Sequence, residues 1–357
     1  MNRIPIWQVA GLSVRGAKHR QRGEANQDAA LYRVDAASGV ALIAVADGHG
    51  GAPYHRSAVG AQLAVDAAAQ VLIACFAAPA SLAAASQTLP HELLLRWRAA
   101  VDADLALHPR DSAAARLDNR RQPFLRYLPY GATLIAAGLR GGDLVILQVG
   151  DGEAALMTED AAPHPLLPKD PRLGAGPTTS LCTPDAARQC RVAVIRLGTD
   201  TPPGPWLLAL TTDGWRNCHL KESDFAGALA TTRALAAAHG PQPLCDHLES
   251  WLTLWSAQGS GDDCSLALAW SGELPAAAAA DEDASRTIER QLAALTRQQS
   301  TARHQLRAGL GLVLAVLACW LVVLAVSRGA TTKPGSASTN FNAIPPSRSS
   351  APSLPRG

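Results

Sequence analysis

Val45-Ala46-Asp47-Gly48-His49-Gly50-Gly51 (VADGHGG) closes an apolar run that begins at Gly39. The run Gly39–Ala46 is short, continuous and bounded by turn formers, which predicts a buried strand. At its C-terminal end the strand delivers a carboxylate, a glycine, an imidazole and two more glycines. Ionised carboxylate oxygens suit magnesium or manganese, so Asp47 is a candidate cation ligand. Gly48 leaves its carbonyl open to close approach. His49 can carry a proton near neutral pH. The same residues also read as a glycine-rich turn in which Asp47 bonds its own backbone.

The pattern recurs along the chain. Asp47, Asp151, Asp213 and Asp262 each stand at the edge of an apolar run, and the first three are followed by glycine. Neighbouring carboxylates repel and cannot all stay ionised unless cations neutralise them. If these strand ends meet at one rim of a sheet, the economical occupant is a magnesium or manganese centre of two ions.

Around these points, Trp7–Val14, Asp28–Val34, Gly131–Leu139, Leu144–Val149, Ala154–Met157, Arg191–Leu197, Trp206–Thr212 and Cys264–Trp270 read as strands. Arg140-Gly141-Gly142-Asp143 reads as a hairpin turn. Helical spacing of apolar residues predicts helices over Ser57–Ala78, His91–Leu107, Phe225–His239 and Leu244–Gln258. Trp97, Trp251 and Trp255 are expected in the core, and Cys264 in a buried strand. Arg15–Gln27 is polar and basic and reads as a loop, and Pro109–Pro129 as a long surface connection. Strands joined partly by hairpins and alternating with paired helices predict an antiparallel sandwich flanked by helices. There is no GxGxxG after a strand, no GxxxxGK[ST] and no HExxH.

Composition narrows the function. A net charge of +2 gives no reason to expect a nucleic-acid partner. The seven cysteines are scattered without a CxxC pair, which argues against a zinc knuckle or disulfide framework and for a reducing compartment. Met1–Gly16 lacks an apolar signal-peptide core. Ala308–Val326 carries no charge and is long enough to span a bilayer as a helix. Five arginines from Arg286 to Arg307 precede it, while Arg328 and Lys333 follow, so the N-terminal domain is expected in the cytoplasm. The expected organisation is a domain at 1–272, a linker and helical stalk at 273–307, a transmembrane helix at 308–326 and a disordered Ser/Pro-rich tail at 327–357.

Arg22–Asp28, VADGHGG (45–51), GATL (131–134), VGDGEA (149–154), LTTDGW (210–215) and SGDDCSLAL (260–268) together resemble the ordered motifs of the metal-dependent serine/threonine protein phosphatases of type 2C. The resemblance covers about residues 8–271. It implies an α+β fold, an αββα sandwich of two antiparallel β-sheets flanked by helix pairs. It further implies hydrolysis of phosphoserine and phosphothreonine by a hydroxide bridging two Mn2+ or Mg2+ ions. Asp47 would bridge the ions, Gly48 would give its carbonyl, and Asp28, Asp213 and Asp262 would join the metal set. Asp151 and Asp213 would share a weaker third ion, and His49 would protonate the departing oxygen. Gln27 stands where the family usually has an acid, Gly23 where it has a phosphate-binding arginine, and Asn217 where many members have a further acid. Arg22, Arg20 or His19 are the candidate replacements for that arginine. The partners implied are a phosphorylated protein, a cognate Ser/Thr kinase and, through the C-terminal helix, a membrane. The alternative is a catalytically weak relative serving as a membrane-anchored regulatory or phosphoprotein-binding module.

Overall fold

The computed structural model describes residues 6–78, 81–109, 123–158, 163–168, 170–172, 178–272 and 274. The chain divides into two compact units, residues 1–297 and 298–357, and the second falls wholly outside the described residues. The expected stalk, the span at 308–326 and the tail also lie outside them.

In chain order the elements are β1 (Trp7–Val14), α1 (Ala17–Arg22), β2 (Ala29–Val34), β3 (Ala41–Ala46), α2 (Ser57–Ala77), α3 (Leu82–Ser86) and α4 (Leu89–Leu107). Then follow β4 (Leu134–Arg140), β5 (Asp143–Val149), β6 (Glu153–Met157), β7 (His164–Pro165), α5 (Ala186–Gln189) and β8 (Arg191–Arg196). The unit closes with β9 (Leu207–Thr211), α6 (Asp213–Arg216), α7 (Glu222–His239), α8 (Pro241–Gln258) and β10 (Cys264–Ser271).

Two five-stranded antiparallel sheets result, ordered β1-β10-β9-β6-β7 and β2-β3-β4-β5-β8. The central strands β3, β4, β5, β9 and β10 are covered on both faces, which is why they are continuous apolar runs rather than alternating ones. In β3, Ala41, Ile43 and Val45 enter the layer between the sheets, where Leu208, Leu210, Ala267 and Ala269 also pack. Leu42, Ala44 and Ala46 face the other way, toward α2 and α4. Across the molecule, α7 and α8 cover the outer face of the other sheet through Leu229, Leu248, Trp251 and Trp255. The expected αββα sandwich is present.

Gly60 lets α2 approach its neighbours closely. A Cβ on Gly60 would lie 1.9 Å from the Tyr130 carbonyl oxygen, and Trp97 Nε1 donates to the Gly60 carbonyl at 3.0 Å. Among the described residues α2 is the one helix long and apolar enough to cross a membrane, yet it is a core helix packed on β3 and β4. Trp97 and Trp255 are buried as expected, and so is Cys264. The turn between β4 and β5 is the expected one, with Arg140 paired to Asp143 and Gly141 at φ 59°.

One expected loop differs. Within Arg15–Gln27 the chain forms α1, closed by Gly23 at φ 70°. It has no buried residue of its own and is held from outside, by Asp263 on the Gly16 amide, Ser256 on the Ala17 amide and Gly261 on the Lys18 amide.

Candidate metal centre

The antiparallel pairing of β9 with β10 places Thr211 opposite Leu266, so Asp213 and Asp262, each just beyond its strand, emerge at the same end. A Cβ on Gly214 would fall 1.9 Å from the Asp263 carbonyl oxygen, which shows how closely these two turns approach. Asp47 arrives from the other sheet at the end of β3. There the Thr133 amide donates to the Asp47 carbonyl at 2.8 Å, and the Asp47 amide to Thr133 Oγ1 at 3.1 Å. Asp151 sits where the chain leaves β5 in one sheet and enters β6 in the other.

These residues line a cavity of about 280 Å3 together with His19, Gln27, Gly48, His49, Gly50, Thr133, Thr178 and Asp263. Asp47 and Asp213 face each other across this cavity, and carboxyl groups so close raise one another's pKa. Burial pushes the Asp47 carboxyl well above the usual carboxylate range, and the nearby charges of Asp28, Asp213 and Asp262 push it further. Asp213 is raised for the same reasons, with Asp151 the largest neighbouring charge, and the Asn217 amide partly offsets this at 3.0 Å. Among the described residues no three His, Cys, Asp or Glu side chains stand close enough together, as placed, to hold one metal ion. The carboxylates instead share one opening.

The residues nonetheless suit hard divalent ions. The donors are oxygens, as Mg2+ and Mn2+ prefer. Gln27 Oε1 is buried in the cavity wall with no hydrogen-bond partner, an acceptor in want of a donor. Gly48 leaves a cradle that a side chain would fill, because its Cβ would meet the Gln27 carbonyl oxygen at 2.5 Å.

Asp28 is placed differently from the others. It does not line the cavity, and its Oδ2 accepts from Thr212 Oγ1 and Ser265 Oγ, both at 2.8 Å. Burial and the charge of Asp263 raise its carboxyl well above the usual range. His49 does line the cavity, edge-on to Tyr54 with ring centroids 5.0 Å apart. Burial lowers its pKa, and the charge of Asp151 opposes that shift.

Of the three basic residues offered for phosphate, the structure brings only His19 to the cavity. Its Nδ1 stands 2.8 Å from Asp263 Oδ1, out of hydrogen-bond alignment. Arg22, on the far side of α1, is 66% exposed beside Glu24. Arg20 donates to the Arg15 carbonyl. The helical turn that sequence reading missed is what separates the three. Asp263 was also missed as a site residue: it is buried, takes the Gly16 amide at 2.5 Å and the Gln27 amide at 2.6 Å, and so clasps both ends of the segment carrying α1. The doubled acid Asp262-Asp263 beside a strand was its signal.

Among solved structures, PppA of Pseudomonas aeruginosa matches at 18% identity over 75% of this chain and 99% of its own, with a TM-score of 0.49. The S. agalactiae serine/threonine phosphatase matches at 19% identity over 74% of this chain and 100% of its own, with a TM-score of 0.46. The Mycobacterium tuberculosis serine/threonine phosphatase PstP/Ppp matches at 17% identity over 74% of this chain and 98% of its own, with a TM-score of 0.43. The catalytic domain of PstP is also solved in complex with 2 manganese ions. No curated protein matches the sequence. The family model described as Protein phosphatase 2C matches residues 15–253, more than half of the chain, and the chain therefore belongs to the protein phosphatase 2C family of serine/threonine phosphatases.

Proposed function

We propose that this chain hydrolyses phosphoserine and phosphothreonine on protein substrates in a metal-dependent reaction, opposing a Ser/Thr kinase. The observation that carries the reading is the meeting of Asp47, Asp151, Asp213 and Asp262 on one cavity. Asp47, Asp213, Asp262 and the Gly48 carbonyl are the residues to hold two Mn2+ or Mg2+ ions, and Asp151 with Asp213 those for a weaker third. When bound, such ions supply a nucleophile from water at neutral pH and offset phosphoryl charge.

The chain's own groups complete the site. Asp28, fixed by two hydroxyls, supports the cluster from behind its wall. His49 lines the cavity and is the group placed to protonate the departing Ser or Thr oxygen. His19 is the basic side chain on the rim beside Asp263, placed to meet a phosphoryl oxygen. The departure from the family pattern at Gln27 has a measurable effect, since an amide neutralises no charge. Gln27→Glu is expected to lower the Mn2+ concentration for half-maximal activity about tenfold. An unchanged Mn2+ dependence would show that this side chain does not face the ions.

The membrane anchor at 308–326 and a cytoplasmic catalytic domain are part of the same proposal. They are supported by the uncharged run and by the arginines that precede it. The full chain, expressed with its own C-terminus, is expected to dephosphorylate a phosphothreonine peptide with added Mn2+ and to stop in chelator. The activity is expected to sediment with membranes. Folded protein that never turns over, at any Mn2+ concentration, would favour the regulatory reading instead, and activity left in the supernatant would count against the anchor.

A further inference from the structure

Asp151 is gripped by side chains that lead away from the cavity. Gln148 lies in β5 and is 4% exposed, the one polar residue in an otherwise apolar stretch, Leu144–Val149. A buried amide is costly unless its hydrogen bonds are made. Its Nε2 donates to the Gly152 carbonyl at 2.5 Å and to the Gly150 carbonyl at 3.3 Å, the two peptide oxygens that flank Asp151. Its Oε1 accepts from Arg191 Nη2 at 2.6 Å, across the β5–β8 pair where the two residues are in register.

Arg191 carries the connection outward. It donates to the Pro168 carbonyl, and its Nε lies 3.7 Å from Asp170 Oδ2. Asp170 is buried and takes Arg172 Nε at 2.8 Å and Arg172 Nη2 at 2.6 Å, and these partners hold its carboxyl down at about 2. From the opposite side, Thr178 Oγ1 donates to Asp151 Oδ2 at 2.9 Å and the Gly150 amide donates to Thr179 Oγ1 at 2.8 Å. The Gly150–Gly152 turn is therefore held between two parts of the chain that follow β6.

We propose that Gln148 is the positioning residue for Asp151, and that the Asp170–Arg191 pair transmits the setting of Pro168 and of residues 170–172 to the Gly150–Gly152 turn. A planar amide bonded at both ends fixes the two carbonyls relative to the guanidinium, so a shift of the Asp170–Arg191 pair moves the turn. Replacing Gln148 by an apolar residue takes a donor from both carbonyls and the acceptor from Arg191 Nη2.

The test is hydrogen exchange on the full chain without added metal. Gln148→Leu is expected to speed exchange of peptide 149–153 about tenfold, and Asp170→Asn to do the same to a smaller degree, while peptides of β3 and β10 keep their rates. A general loss of stability would speed all of them. Asp143→Ala, which removes only the ion pair with Arg196 at the far end of the same strands, should leave 149–153 unchanged. Unaltered exchange at 149–153 in both Gln148→Leu and Asp170→Asn overturns the proposal.

A second readout rests on the phosphatase reading. In Mn2+ titrations followed by electron paramagnetic resonance, Gln148→Leu should weaken the loosest ion about tenfold and spare the tighter ones. A wild-type chain that binds no Mn2+ overturns the functional reading alone, because the exchange result stands without metal.

Discussion

Asp47→Asn is expected to cut phosphopeptide hydrolysis by about 10^3-fold, roughly 4 kcal/mol in barrier, and yet to raise the melting temperature of the metal-free protein. The two effects share a cause. Asp47 sits among Asp28, Asp213 and Asp262, whose charges together with burial hold its carboxyl well above its ordinary value. An amide there removes repulsion and keeps the shape. A gain of about 1 kcal/mol would appear as roughly 3 °C in a domain of this size. Scanning fluorimetry in chelator reads the midpoint, and a lower midpoint in Asp47→Asn would refute the account of mutual repulsion.

The pH dependence follows the same charges. Asp28, Asp47 and Asp213 all have folded-state pKa values above their unfolded ones, so the folded protein holds protons that the unfolded chain releases. Their contribution to stability is full below about pH 4 and is lost as pH rises through the raised values. His219, buried among Trp215, Phe225 and Trp255 and lowered to about 4, works in the opposite direction between its folded and unfolded values. That term is common to both proteins. The advantage of Asp47→Asn over wild type should thus widen without metal as pH rises above about 4, and close when Mn2+ is saturating.

Gly214→Ala is the second large effect. Its new Cβ would lie 1.9 Å from the Asp263 carbonyl oxygen and 3.4 Å from Asp262 Cβ, and a backbone atom cannot swing aside as a side chain can. The turns carrying Asp213 and Asp262 must separate. The expected cost is about 3 kcal/mol of stability together with loss of hydrolysis. Gly142→Ala, whose Cβ meets nothing nearer than 3.7 Å, is the matched control and should be close to neutral. Chemical denaturation of both variants distinguishes a steric cause from a general intolerance of alanine.

The parts of the fold legible in the sequence are those whose burial is written locally. β3 reads as a strand because both of its faces are covered, so Ala41–Ala46 is apolar throughout. β1 and α2 begin where the pattern of apolar residues places them, at Trp7 and Ser57. α1 was illegible for the opposite reason: Ala17–Arg22 has no apolar face, and its first amides find acceptors far along the chain at Ser256, Gly261 and Asp263. Missing that turn left Arg22, Arg20 and His19 equivalent, although helical phase sends only His19 to the cavity.

The acidic cluster was legible as a repeated aspartate at strand ends, and the structure does gather Asp47, Asp151, Asp213 and Asp262. The support behind it was not, with one exception. Gln148 is a lone polar residue in an apolar strand, and that anomaly is visible in the sequence; an Asp170 beside Arg172 reads as an ordinary surface pair, and its contact with Arg191 is remote in the chain.

Asp47 comes from one sheet and Asp213 and Asp262 come from the other, so no single sheet sets the distance between them. That distance is gauged by the layer of Ile43, Val45, Leu208, Leu210 and Ala267 on which one sheet rests against the other. A slip of one residue along a strand is about 3.3 Å, more than the reach of a hydrogen bond. The apolar filling thus acts as a spacer for the charged rim. Side chains that never touch substrate determine whether the acids above them can work as one group.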